Sequence, residues 1–225
     1  MKGVILWQSR TVVCIGTFES ANAKTGNMCQ IWVLVRNADP IAANHSGLDR
    51  HNCGNCPLRG IKGRRRLCNV DLRNGPGRVW HAWRRGLYPE LASIGWGFAG
   101  RMIRFGAYGD PAAVPLRVWK ELAAVAAGWT GYTHQWETAP GLKPFMMASA
   151  DNEEDARRAQ AAGWRTYRVR AIGAPLMAGE INCPANKKNR VQCINCRLCG
   201  GNSTGAADIS IEATGIQSKR WGEYV

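Results

Sequence analysis

Seven of the nine cysteines in this 225-residue chain fall in two tight groups, and that grouping limits the folds open to it. The first is Cys53-x2-Cys56-x11-Cys68; the second is Cys183-x9-Cys193-x2-Cys196-x2-Cys199; Cys14 and Cys29 stand apart. An odd count so gathered argues against a secreted disulfide framework, and in a reducing cytosol such spacing reads as metal binding. Long segments can then be ordered without a hydrophobic period. Asn44 to Gly77, rich in Gly, Asn, Arg and Cys, is such a segment.

In the second group, thiolates two residues apart grip one ion from a tight knuckle, and Gly200-Gly201 lets the backbone bend around it. Cys183, Cys193, Cys196 and Cys199 together complete a tetrahedral zinc site. The same four could hold a four-iron, four-sulfur cluster. The first group supplies three thiolates, Cys53, Cys56 and Cys68. A fourth ligand could come from His51, His45 or Cys29, or the position could stay open, as catalytic metals require. Radical enzymes that use S-adenosylmethionine also carry three cysteines in the loop after a first strand, but with a C-x3-C-x2-C spacing absent here.

The formal net charge is +14, and 22 of the 30 basic residues are Arg. Arg presents a planar fork suited to phosphate oxygens and guanine edges, so a polyanionic partner, nucleic acid, is expected. The candidate contacts are Arg59, Lys62, Arg64, Arg65 and Arg66 around the first cysteine group. Around the second they are Lys187, Lys188, Arg190 and Arg197. Trp80 and Trp83 follow at helical spacing, as stacking surfaces or as core. No run of about 18 apolar residues suggests a membrane span. Met1 to Arg10 does not read as a signal peptide, so a cytoplasmic protein is expected.

Beyond residue 80 the pattern becomes a βα rhythm. Strands are expected at Met102–Phe105, Trp129–Thr133, Phe145–Ala148, Trp164–Val169 and Ile209–Ala213, and upstream at Ile31–Val35. Helices are expected over Pro115–Ala127 and from a capping box at Asp151-Asn-Glu-Glu154 through Ala162. This is an α/β pattern with a parallel sheet. A partial or shortened βα (TIM-like) barrel with cysteine-rich metal-binding loops fits it, with an open doubly wound sheet as the alternative. The organisation expected is one domain over 1–225, a basic insertion at about 44–77 and a metal knuckle at about 180–205.

In such folds, loops at the carboxyl ends of strands build the site. Asp110, His134 and Asp151 are the candidate nucleophile, base and acid, although either aspartate is also placed to cap a helix. Arg104, Tyr132, Gln135, Trp136, Ser149 and Glu180 are candidate substrate contacts. Tyr132 and Trp136 could sandwich a flipped base, and Arg104 could pair with one of the acids.

Taken in order, Asn22-Ala-Lys-Thr-Gly26, Cys53-x2-Cys56-Pro57, Arg104-Phe-Gly-Ala-Tyr-Gly-Asp110, Gly131-Tyr-Thr-His134, Ser149-Ala-Asp151, Cys183-Pro-Ala and Cys193-x2-Cys196-x-Leu-Cys199 resemble a bacteriophage family of cysteine-rich hypothetical proteins. More loosely, two strand-end aspartates followed by a late cysteine knuckle are similar to guanine transglycosylases, including phage enzymes that insert 7-deazaguanine bases into DNA. This chain is shorter, lacks their C-x-C-x2-C spacing, and has Cys183 upstream where they have a downstream His. That similarity implies base exchange in DNA: one aspartate attacks the sugar C1′, the other handles the incoming small-molecule base, and the late cysteine site is structural. The rival expectations are an iron–sulfur enzyme of radical type centred on Cys53, Cys56 and Cys68, and a non-enzymatic zinc module that binds DNA or RNA.

Overall fold

Two apolar runs close on each other first. Strand β1 (Gly3–Gln8) turns into β2 (Val12–Thr17), with the Ser9 hydroxyl accepting from the backbone of Thr11 and Val12. β2 pairs antiparallel with β3 (Cys29–Val35). In this computed structural model, residues 2–60, 66–91, 97–185 and 191–214 are described, with Ser218 and Trp221. From β3 the sheet becomes parallel, through β4 (Met102–Tyr108), β5 (Gly128–Thr133), β6 (Met147–Ala150) and β7 (Thr166–Arg170). The chain then lays down β8 (Glu180–Asn182) at the far edge, and β9 (Asp208–Glu212) enters between β7 and β8.

The nine strands form one mostly parallel sheet in the order β1-β2-β3-β4-β5-β6-β7-β9-β8, an α/β architecture with open edges at β1 and β8. The order advances one way from β3 to β7, without the central reversal that defines a doubly wound sheet. Right-handed crossovers laid in one direction put their helices on one face. Accordingly α4 (Leu116–Val125) and α5 (Glu153–Ala161) pack on the same side, where Val118, Trp119, Leu122 and Ala159 meet Ile103, Phe105 and Ala148.

Period-two alternation sends the intervening residues to the opposite face. There α3 (Gly75–Arg84) covers Val13, Ile15 and Leu34 with Val79, Trp80 and Trp83. Both cysteine groups lie on this second face, since Cys53 packs in that cluster and Cys183, Cys193 and Cys199 pack with Met102, Met147 and Ile209. Two short helices, α1 (Pro40–Ser46) and α2 (Arg50–Cys53), lead into the first group. No helix among the described residues is long and apolar enough to cross a membrane.

Candidate metal and anion site at the strand ends

The first cysteine loop is bolted to the sheet through Asn52. Its Nδ2 donates to the Val33 carbonyl at 2.8 Å, and its own carbonyl accepts from Asp110 N at 2.6 Å. Gly109 permits this close fit: at φ +80° its missing Cβ would meet the Val33 carbonyl. Inside the loop, the Leu58 carbonyl accepts from both Leu67 N and Cys68 N, which carries Cys68 back toward Cys56. Gly54 adopts φ +59°, and the Gln135 side chain occupies the space a Cβ would need.

These anchors bring the loop over the carboxyl ends of β4, β5 and β6. A cavity of about 180 Å³ results, walled by Cys53, Cys56 and Cys68 together with Arg66, Arg104, Tyr132, His134 and Ser149. Asp49, Arg59 and Asp110 also line it. The expected fourth ligands are elsewhere: Cys29 is buried on the face that packs α4, and His45 and His51 are exposed. His134 is the histidine at the thiols, its Nε2 3.8 Å from Cys56 Sγ.

The three candidate catalytic residues do meet. His134 Nε2 lies 3.2 Å from Asp151 Oδ2, and its backbone N donates to Asp110 Oδ2 at 2.8 Å. Burial alone would lower the His134 pKa, but Cys56 and Asp151 outweigh it and hold the pKa well above the usual value. Both neighbours face the same ring nitrogen, so this is not a Cys-His-Asp relay, in which the acid would hold the other nitrogen.

The two aspartates differ in what they already do. Asp110 caps the turn at Pro111–Ala113 through Ala112 N, and also accepts from Thr133 Oγ1 at 2.7 Å. Its carboxyl is nevertheless held above its ordinary pKa by burial. Asp151 does not cap α5. The cap is Asn152, whose Oδ1 accepts from Asp155 N, one residue later than the expected capping box. Asp151 is thereby left to His134.

Several expected substrate contacts are placed otherwise. Trp136 is buried on the α4 side of the sheet, whereas Tyr132 faces the cysteines and packs against Tyr167 at 4.3 Å between centroids. The sheet separates them, so they cannot sandwich one base. Glu180 is sealed in a buried pair with Arg168, Nε to Oε1 at 2.7 Å and Nη2 to Oε2 at 2.6 Å, and also accepts from Met177 N. Its oxygens are taken up by structure. Arg104 pairs with neither acid but stands over the Tyr132 ring, 5.9 Å from its centroid. Gln135 supports Gly54, and Ser149 lines the cavity.

Of the expected nucleic-acid contacts, Arg59 is bound to Asp49 through Nε and Nη2, at 3.0 and 2.7 Å. Arg66 lines the cavity. Exposed Arg197 turns back on the Ile194 carbonyl. Lys62, Arg64, Arg65, Lys187, Lys188 and Arg190 lie outside the described residues. Trp80 is engaged in packing and donates to the Val35 carbonyl.

The second cysteine group surrounds a far smaller space. Cys183, Cys193, Cys196 and Cys199 line a cavity of about 10 Å³, with Thr130, Tyr132, Pro184, Leu198 and Ile209. That is room for about one water-sized sphere. The surrounding backbone is pinned at every segment: Cys183 N to the Ser210 carbonyl, Cys193 N to Lys24, Ile194 N to Thr25, and Gly131 N to Cys199. The Asn22–Gly26 turn, held by Asn22 Oδ1 accepting from Lys24 N and Thr25 N, is therefore the cradle of α6 (Cys193–Cys196). Burial pushes the Cys199 thiol up to about 12.

No disulfide joins the nine cysteines. Among the described residues, no three His, Cys, Asp or Glu side chains stand in a metal-holding arrangement. Tested against family models, curated proteins and solved structures, the chain matches none.

Proposed function

We propose that this chain is a nucleic-acid-modifying enzyme whose reaction centre is an iron–sulfur cluster held by Cys53, Cys56 and Cys68. The observation that carries this reading is that these thiols wall the same cavity as Arg104, His134 and Ser149. A structural knuckle would be closed around its ion. Here three thiols wall a space of about 180 Å³, room for a group several ångströms across and more than one ion needs. Cys53, Cys56 and Cys68 would hold such a cluster with fewer protein ligands than irons, and the cluster would supply redox chemistry beside His134. His134, backed by Asp151, holds a proton at Nε2 on the wall of the same cavity.

The second group we read as a structural zinc site, because its four thiols enclose a space of one ion's size. We read the sheet as a shortened barrel, supported by its one-directional strand order and by helices α4 and α5 on a single face. A reducing, cytoplasmic setting fits nine cysteines without a disulfide. A second reading, base exchange in DNA of the guanine-transglycosylase kind, is favoured by Asp151, a strand-end acid relieved of capping by Asn152.

Elemental analysis and a visible spectrum on protein purified without oxygen test the choice. Iron and sulfide that disappear in Cys68→Ser while zinc stays would support the first reading. Zinc alone in the native protein sinks it. Base exchange that Asp151→Asn abolishes, with DNA binding retained, would then select the second.

A further inference from the structure

The three arginines of the large cavity differ in what they hold. Arg59 is committed to Asp49 and to the Gly47 carbonyl. Arg66 Nη1 donates to the Cys68 carbonyl at 2.8 Å, but its Nη2 is buried with no partner. Arg104, half-buried in the middle of β4, takes part in none of the ion pairs among the described residues and has only the Tyr132 ring beneath it. The carboxylates that line the same space are already engaged, Asp49 by Arg59 and Asp110 by Ala112, Thr133 and His134. Besides the three thiols, His134 and the Tyr108 and Tyr132 rings, two guanidinium groups with donors to spare and the Ser149 hydroxyl face the cavity.

A buried donor without an acceptor is costly, and a guanidinium facing a cavity finds its acceptors in an anion. Phosphate oxygens accept from two forks at once. The space of about 180 Å³ falls below the roughly 300–1,000 Å³ of pockets that enclose whole drug-sized ligands. It therefore admits at most a phosphate group reaching in past the thiols, with the rest of its molecule outside, and not a duplex.

We infer that Arg66 and Arg104 form a phosphate-binding wall that takes the phosphate of a single nucleotide, free or at the end of a strand. The nucleotide assignment rests on the nucleic-acid reading above; the anion site itself rests on the two arginines.

The test is calorimetric binding to the full-length, anaerobically purified protein. The probes are inorganic phosphate, deoxyguanosine, deoxyguanosine 5′-monophosphate and a 5′-phosphorylated single-stranded oligonucleotide. The monophosphate should bind at least about tenfold tighter than the nucleoside and be displaced by inorganic phosphate. Arg104→Gln and Arg66→Gln should each weaken it by about tenfold to a hundredfold, Arg104→Lys less, and Lys120→Gln on exposed α4 not at all. The oligonucleotide separates the sources: tighter binding than the monophosphate assigns a strand end, and weaker binding a free nucleotide. Equal affinity for nucleoside and monophosphate overturns the proposal. So does a loss in Lys120→Gln equal to that in the arginine variants, which would mark a diffuse basic surface. If Arg104→Gln does not fold, Arg66→Gln decides alone. Protein that carries no iron but keeps arginine-dependent phosphate binding ends the iron–sulfur reading and leaves this one standing.

Discussion

The two cysteine sites share one face of one sheet and are built on opposite plans. Around Cys53, Cys56 and Cys68 the space is about 180 Å³ and its other walls carry Arg, Asp, His and Ser. Around Cys183, Cys193, Cys196 and Cys199 it is about 10 Å³, with Pro184, Leu198 and Ile209 beside the thiols. The first loop is fixed mainly at its entry, by Asn52. The second is tied by backbone hydrogen bonds from each of its segments. The same residue type thus supplies a wall that stays open in one place and a closed fastening in the other. The contrast lies in what surrounds the sulfurs and not in the sulfurs themselves.

The largest effect should come from the closed site. If both cysteine sites hold metal as proposed, Cys199→Ser should lower the thermal midpoint by more than about 10 °C, because metal binding at a closed site is folding free energy. Cys68→Ser should move it by only about 1–3 °C while its metal is lost. Scanning calorimetry paired with metal analysis reads both, and equal losses of stability would break the comparison.

Next in size is Glu180→Ala, which leaves Arg168 buried without its partner, at a cost of about 3–5 kcal/mol by denaturant titration. Cys183 follows directly on β8, the strand that Glu180 opens. The variant should therefore release the second site's metal before the first.

Gly54→Ala forces a side chain into a positive-φ position already crowded by Gln135. It should cost about 1–3 kcal/mol and empty the first site alone; loss of both metals would mean that the sites do not stand independently. The smallest effect separates cap from acid. Asn152→Ala should cost about 1 kcal/mol through the start of α5. Asp151→Ala should instead cost stability through buried His134, a loss that fades as the pH rises through the raised His134 pKa, and a pH-independent loss in urea melts would restore the capping role to Asp151.

Much of the sheet could be read from the chain because its strands are short apolar runs between Gly and Pro turns. The expected Met102–Phe105, Trp129–Thr133 and Ile209–Ala213 lie within a few residues of β4, β5 and β9. Helix α3 was hidden because Gly75-Pro76-Gly77 looks like a turn, although Pro in a first helical turn costs nothing. β8 is three residues long and two of them are exposed, so no pattern marks it. At the site, the polar strand ends were legible: Asp110, His134 and Asp151 do come together. What sequence could not give is long-range. That the first cysteine loop folds onto those strand ends depends on Asn52 reaching Val33 and Asp110. That Tyr132 and Trp136 part across the sheet depends on a period of two through β5 and the turn that follows.

The cradle of α6 by the Asn22–Gly26 turn bears on the order of events during synthesis. Gln192 reaches the Ala23 carbonyl across 169 positions of chain. Contacts so far apart in sequence form late, because the entropy of closing the intervening loop must be met before they contribute. A nascent chain can stack β1 to β7 as it emerges, yet the small cavity has only its β5 wall of Thr130 and Tyr132 until the segment from Cys183 to Cys199 has left the ribosome. Until then Cys183 and the N-terminal turn wait as exposed halves of an unfinished joint, so capture of an ion there would be the closing act of folding and not its seed.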